Sequence, residues 1–182
     1  WAYPSIARSA SPRPAAPPTT WCSSDAPSRR PPSRTRTAIR ATSRRHPGYF
    51  YIHNDSGDRP RVFVITPEGR IVTTLRVEGA QNRDWEDIAI APGAAPGQWD
   101  ICVADIGDNK SEYPTVKIYR FPEPAEWIEG GETVVTATTS EWRYPDAPTN
   151  AEALVVHPQT GTGYIITKRD TGLPQVYRLP LP

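Results

Sequence analysis

Apolar and polar positions alternate along most of the chain from residue 48 onward, in short runs separated by turn residues. Val, Ile, Thr, Tyr and Trp are frequent in these runs, and no segment shows an apolar stripe of helical period. Such runs between Gly, Pro, Asn and Asp are typical of β-strands. The pattern predicts an all-β domain with strands at Tyr49–His53, Arg61–Thr66, Ile71–Val77, Trp85–Ala91, Trp99–Ala104, Thr115–Phe121, Thr133–Ser140, Ala151–His157, Gly163–Lys168 and Gln175–Leu179.

Part of this strand pattern repeats. Three segments combine a strand, an Asp-x-Gly turn and a second strand, and the turns are Asp55–Gly57, Asp105–Gly107 and Asp170–Gly172. In two of them a Glu opens a preceding apolar run: Glu86 lies 19 residues before Asp105, and Glu152 lies 18 before Asp170. Repeated four-stranded antiparallel units predict the blades of a β-propeller. Residues 41–182 would supply about two and a half to three blades, so we expect an incomplete β-propeller that needs further blades for ring closure. A compact β-sandwich is the alternative.

The first 40 residues have a different composition, rich in Pro, Arg, Ser and Ala and without strand or helix period. Residues 1–46 carry nine Arg and one acid, a net charge of +8, whereas residues 47–182 carry a net charge of −7. Residues 1–40 contain few aliphatic side chains to offset chain entropy, which predicts a disordered N-terminal arm. Two other interpretations stay open: an Arg-rich arm for nucleic acid, and a segment translated in the wrong frame from high-GC coding DNA. We do not expect a nucleic-acid partner, because no aromatic platform accompanies the Arg residues.

Composition excludes several classes. No run of about 18 apolar residues occurs, so no membrane span is expected. Cys22 and Cys102 are the only cysteines, which excludes a disulfide framework. The chain begins at Trp1, contains no Met and shows no signal peptide, which favours a fragment or a processed product.

The predicted topology places most of the acidic residues at one end of the sheets. In an up-and-down sheet, alternate connections lie at the same end, and the connections that share one end here contain most of the Asp, Glu and Asn residues. Glu86 and Glu152 would begin the innermost strands and face a central channel. Hard cations such as Ca²⁺ prefer carboxylate, amide and carbonyl oxygens, so a Ca²⁺ site at this face is one hypothesis. Two alternatives stay open: Asp-x-Gly as ordinary turn chemistry, and pairing of the two Glu with Arg83, Lys168 or Arg169.

Signals for other chemistry are sparse. The three His residues lack metal-ligand spacing, and His53, beside Asn54 and Asp55, is the one candidate for a general base. No G-x-S-x-G motif, phosphate-binding loop or EF-hand pattern occurs.

The strings HNDSGD, DWEDIAI, VADIGDN, NAEALVV and YIITKR together resemble a group of bacterial extracellular or envelope proteins with a six-bladed, TolB-like β-propeller. The resemblance covers roughly residues 41–182. The wider superfamily includes calcium-dependent phosphotriesterase and gluconolactonase-like enzymes, in which Glu, Asn and Asp from several blades hold Ca²⁺ at one end of the channel. By position, the resemblance implies a metal site at Glu86 and Glu152, with Asp105, Asp108, Asn109, Asn54 and Asp55 as neighbours.

The resemblance implies two functional expectations. One is metal-assisted hydrolysis of a phosphoester or lactone, with Ca²⁺ as Lewis acid and a small molecule as substrate. The other is a non-enzymatic binding or scaffold propeller in which the Asp-x-Gly turns are structural, because a fold alone does not determine a function. The resemblance also implies an extracellular or cell-envelope location.

Overall fold

The computed structural model describes residues 41–181, which form an all-β structure. Within this part of the chain there are twelve strands and no helix. The strands are β1 (Ala41–Thr42), β2 (Phe50–His53), β3 (Arg61–Ile65), β4 (Ile71–Glu78), β5 (Trp85–Pro92), β6 (Trp99–Asp105), β7 (Val116–Pro122), β8 (Glu132–Thr136), β9 (Thr138–Trp142), β10 (Ala151–Val156), β11 (Gly163–Thr167) and β12 (Val176–Leu179). The prediction of an all-β domain is confirmed.

The strands form three sheets. Sheet 1 has the order β1-β2-β3-β4-β8, sheet 2 has β5-β6-β7-β9, and sheet 3 has β10-β11-β12. Neighbouring strands are antiparallel except for β4 and β8, which are parallel. Within each sheet, most strands pair with the strand that precedes or follows them in sequence, in an up-and-down order; the exceptions are the pairs β4–β8 and β7–β9.

Sheet 2 lies between the other two sheets. One of its faces contributes to a hydrophobic core with sheet 1, and the other contributes to a second core with sheet 3. The core shared with sheet 1 includes Tyr51, Leu75, Trp85 and Tyr119. The core shared with sheet 3 contains smaller residues from sheet 2, together with four residues from sheet 3; its buried members are Ala89, Ala91, Cys102, Ala104, Ile106, Val116, Ile118, Ala151, Leu154, Ile165 and Leu179. The central sheet is thus covered on both faces, which explains the near-continuous apolar character of β5 and β6.

The predicted strand Thr133–Ser140 is two strands that belong to different sheets. Residues of β8 pair in parallel with β4 of sheet 1, whereas residues of β9 pair antiparallel with β7 of sheet 2. The break falls at Ala137, whose backbone N–H donates to the carbonyl of Glu78 at 2.9 Å. The connection between β7 and β9 therefore crosses to the neighbouring sheet and adds a strand at its outer edge.

A buried glutamate fixes the turn that follows β1. The carboxylate of Glu123 is 4% exposed. It accepts hydrogen bonds from the Ser43 hydroxyl at 2.8 Å and from the backbone N–H groups of Arg44 and Arg45 at 3.0 and 2.9 Å. These charge-assisted bonds connect the start of sheet 1 to the end of β7 in sheet 2.

Two further predictions from the sequence concern the N-terminal arm and membrane spans. The prediction of a disordered or misread arm concerns residues 1–40, which lie outside the described residues. Between residues 41 and 181, no helix has the length and apolar character that a membrane span requires.

Candidate metal centre

Three carboxylates converge where sheets 1 and 2 meet. One oxygen from each of Asp55, Asp84 and Glu86 lies within 4.8 Å of the other two. Two oxygens bound to one Ca²⁺ ion, each about 2.3–2.6 Å from it, are at most about 5 Å apart. The spacing is therefore compatible with a single hard cation held by all three side chains, which we call the acidic cluster.

Local structure explains how the three side chains meet. Asp84 lies in the bend immediately before β5, and Glu86 lies at an irregularity of β5, where Trp85 pairs with Asp105 and Asp87 already pairs with Ala104. Asp55 comes from the turn between β2 and β3. The Asn82 amide donates to the carbonyl oxygens of Asn54 and Asp55 at 3.3 and 3.0 Å, and thus ties that turn to the start of β5.

Gly107 provides space for the cluster. A Cβ atom on this residue would lie 2.6 Å from Glu86 Oε1 and would also collide with the carboxylate of Asp84. The backbone N–H of Gly107 donates to the Asp84 carbonyl at 3.1 Å. Glycine thus lets the two carboxylates approach the backbone closely, and a side chain here would displace them; its φ angle is not positive, so backbone conformation does not demand glycine.

Asp105 lies beneath the cluster and holds its backbone. Its side chain is buried, and Oδ1 accepts a hydrogen bond from the backbone N–H of Asp84 at 2.9 Å. Arg83 Nε lies 3.5 Å from the same oxygen, and the Arg83 guanidinium also donates to the carbonyls of Thr115 and Asp105. Asp105 and Arg83 thus position Asp84, whose carboxylate stays available to the cluster.

Burial and neighbouring carboxylates disfavour ionisation of two members of the cluster, and Lys168 and Arg83 offset this only in part. Burial, followed by the charges of Glu152, Asp84 and Asp55, raises the pKa of Glu86 to about 8. Burial, followed by the charge of Asp55, also raises the pKa of Asp84. Two carboxyl groups with raised pKa beside a third carboxylate form a site at which a bound cation would relieve repulsion.

Glu152 lies near the cluster but has partners of its own. Its Oε1 accepts from Lys168 Nζ at 2.9 Å and from Asn150 Nδ2 at 3.4 Å. The Asn150 amide also donates to Asn109 Oδ1 at 3.2 Å. Pairing with Lys168 is one of the alternatives that the sequence left open for this Glu, and the structure shows that pair.

Asp108 and Asn54 serve turns. The two carboxylate oxygens of Asp108 accept from the backbone N–H groups of Glu112 and Tyr113 at 2.9 and 2.8 Å. The Asn54 amide donates to Asp58 Oδ2 at 2.5 Å. These bonds are the ordinary role of Asp and Asn in turns.

His53 is fully buried between the first two sheets. Its Nδ1 lies 2.9 Å from the carbonyl oxygen of Asn54, and its ring contacts Trp85 edge to face at 5.7 Å. Burial lowers the pKa of His53, so the neutral imidazole is favoured. The structure thus places the predicted general base in the core, beside the turn that carries Asp55.

Seven ligands were expected from the resemblance, and the structure brings two of them, Asp55 and Glu86, into the acidic cluster. The third member, Asp84, was not among them. Its nearness to Glu86 in sequence was the one signal for it, but Asp84 lies in a bend before β5 and Glu86 at an irregularity of that strand, so simple alternation could not predict that the two side chains meet.

Comparison of the chain with protein-family models, with curated proteins and with solved structures gives no match.

Proposed function

We propose that residues 41–181 belong to a β-propeller that binds a divalent cation, Ca²⁺ by the chemistry of its ligands, at Asp55, Asp84 and Glu86. The observation that carries this proposal is the convergence of three carboxylate oxygens within 4.8 Å of one another from two different sheets. All three side chains are partly buried, where like charges repel more strongly than in water. Sheet 1 packs against one face of sheet 2 and sheet 3 packs against the other, and this face-to-face succession of antiparallel sheets supports the propeller arrangement.

Chemistry of the donor set favours a hard cation. All three side-chain donors are oxygens, and the buried Gly107 backbone approaches the cluster closely. Ca²⁺ takes about six to eight oxygens in irregular geometry, so backbone carbonyls and water would complete its shell. When bound, such an ion would supply Lewis acidity toward a phosphoester or lactone, the reaction class that we propose if the protein is an enzyme.

A binding or scaffold role is the second candidate, and the position of His53 favours it. A general base must reach the substrate, directly or through one water molecule. The His53 ring is fully buried, and Nδ1 is already bonded to a backbone carbonyl. A propeller that holds Ca²⁺ for stability or for ligand binding would not need this base.

Calcium titration tests the cation site. We expect CaCl₂ to raise the melting temperature of the chain relative to EDTA, and calorimetry to show saturable binding. Asp84→Asn combined with Glu86→Gln should abolish both effects. Asp170→Asn is the matched control, because Asp170 is an exposed Asp of the third Asp-x-Gly turn and lies outside the cluster. A wild-type chain that does not respond to Ca²⁺ would overturn the proposal.

Turnover separates the two candidate functions. A panel of phosphoesters and lactones assayed with CaCl₂ should show hydrolysis that EDTA stops and that the double variant lacks, if the protein is a hydrolase. Saturable Ca²⁺ binding without turnover on any member of the panel would favour the binding role.

A further inference from the structure

A polar cleft of about 380 Å³ lies between sheets 1 and 2, and no member of the acidic cluster lines it. Lys117 and Tyr119 are two residues apart on β7, and Tyr119 pairs with Thr139 of β9, so these three side chains share one face of sheet 2. Tyr119 belongs to the core with sheet 1, so this face is directed toward sheet 1. The segment that follows β4 completes the lining with Gly79, Ala80 and Gln81. The volume is that of a small-molecule site.

Lys117 is the charged residue of this lining, and its side chain is partly buried. Strand register places Asp105 of β6 and Glu141 of β9 beside it. Both carboxylates have partners of their own: Asp105 Oδ1 lies 3.5 Å from Arg83 Nε, and Glu141 Oε1 accepts from the Thr115 hydroxyl at 2.5 Å. Between residues 41 and 181, no carboxylate forms an ion pair with the Lys117 ammonium. The cleft thus contains a cation without a directly bonded counter-ion.

The segment after β4 adds backbone donors. Gly79 has a φ angle of +82°, and within the described part of the chain neither its N–H group nor that of Ala80 donates to a protein acceptor. The carbonyl of Gly79 accepts from the Thr139 hydroxyl at 3.4 Å, and the carbonyl of Glu78 accepts from the Ala137 N–H at 2.9 Å, so the segment is held against its neighbours. Successive backbone N–H groups in a turn form a concavity that binds anions.

We propose that this cleft binds the anionic group, a phosphate or a carboxylate, of a small molecule. Lys117 supplies the counter-charge, and the N–H groups of Gly79 and Ala80 donate to the anionic oxygens. Charge-assisted hydrogen bonds of this kind are stronger than neutral ones. The site goes beyond the proposed cation site and does not depend on it, so it is measured in EDTA.

The rest of the chain does not offer a better occupant for the cleft. Sheets 1 and 2, which flank it, have five and four strands, so further blades would add beside the outer faces of sheets 1 and 3 and not between sheets 1 and 2. Residues 1–40 contain seven Arg and a single acid, Asp25, a composition that does not complement a lysine. A small anion complements both the ammonium and the backbone donors.

Nuclear magnetic resonance of the full chain in EDTA, at constant pH and ionic strength, tests the proposal. We expect inorganic phosphate or acetate to shift the amide resonances of Gly79 and Ala80 saturably, and the tighter of the two probes identifies the preferred anionic group. Lys117→Gln should raise the dissociation constant about tenfold or more, because a hydrogen bond to a charged group is lost. Lys117→Arg keeps the charge and should bind more tightly than Lys117→Gln.

Lys110→Gln is the matched control, because Lys110 is exposed and lies outside the cleft. It makes the same change of charge and should leave the dissociation constant unchanged. The amide spectrum of each variant establishes that it is folded. Absence of a saturable shift at Gly79 and Ala80 with both probes, binding that Lys117→Gln leaves unchanged, or an equal loss in Lys110→Gln would overturn the proposal.

Discussion

The carboxylate of Asp87 on β5 accepts a hydrogen bond from the backbone N–H of Leu154 on β10 at 2.7 Å. Its other oxygen accepts from the backbone N–H of Ile88, also at 2.7 Å. Asp87 is 4% exposed, and burial raises its pKa although both hydrogen bonds oppose that rise. One side chain thus connects sheet 2 to sheet 3 within an otherwise apolar interface.

Removal of the Asp87 side chain should destabilise the packing of sheet 3 against sheet 2. Asp87→Ala would leave the buried N–H of Leu154 without its acceptor, and an unpaired buried donor costs about 1–3 kcal/mol. We expect the free energy of unfolding, measured by urea denaturation, to fall by about that amount. Glu129→Ala, which removes an exposed side chain 3.6 Å from Arg70, is the control and should change stability by less than about 0.5 kcal/mol. Equal losses for both variants would contradict the bridging role of Asp87.

Gly107→Ala should disrupt the acidic cluster from the backbone side. The added Cβ would collide with the carboxylates of Asp84 and Glu86 and displace them. We expect the variant to lose the calcium-dependent rise in melting temperature. Gly172→Ala is the comparison: φ is +84° there and no atom lies within 4 Å of the added Cβ, so it should cost about 1–2 kcal/mol of stability and keep the calcium response. A Gly107→Ala chain that responds normally to Ca²⁺ would exclude a site beside this residue.

The Asp-x-Gly repeat shows what sequence alone can establish about the site. The three turns look alike in sequence, but Gly57 and Gly172 have φ near +84° with open space around them, whereas Gly107 is packed against carboxylates. The register of β10 with β11 also differs from what the alignment of Asp105 with Asp170 predicts. Trp85 pairs with Asp105 in sheet 2, but the corresponding Ala151 pairs with Thr167 in sheet 3, three residues before Asp170. The third copy of the motif therefore does not occupy the position of the second.

Strand positions were predicted well because period-two alternation and turn residues are local signals. The split of Thr133–Ser140 into β8 and β9 was not, because alternation shows which side chains share a face but not which strand is the partner. Pairing of β8 with β4 depends on contacts between residues more than 50 positions apart, such as Thr74 with Glu132. Convergence of Asp55 with Asp84 is non-local in the same way.

Cys102 should be unreactive in the folded chain. It is fully buried on β6 in the core between sheets 2 and 3, and burial raises its pKa to about 12, so almost no thiolate forms at neutral pH. In a Cys22→Ser background, a thiol-specific disulfide reagent should label Cys102 at once in denaturant, but without denaturant only as fast as the protein opens. Immediate labelling of the folded chain would mean that sheet 3 does not cover β6.

The raised pKa of Glu86 predicts that the cation-free protein becomes less stable as the pH rises. Its pKa is about 8 in the folded state, against 4.5 for the unperturbed group, because burial and then the charges of Glu152, Asp84 and Asp55 disfavour ionisation. Between these values the folded state holds a proton that the unfolded state has released, so stability decreases with pH over that window and levels off above about pH 8.

Urea unfolding in EDTA at a pH near 5 and at a pH above 8 measures this effect. Glu86→Gln carries no ionisable group at this position, so it should lose less stability over the same interval than the wild-type chain does. Glu129→Gln is the control, because its exposed side chain lies outside the acidic cluster and should preserve the wild-type pH dependence. If Glu86→Gln and the wild-type chain lost stability equally, the pH dependence would originate at other groups, and burial and repulsion would not raise the pKa of Glu86 in the folded protein.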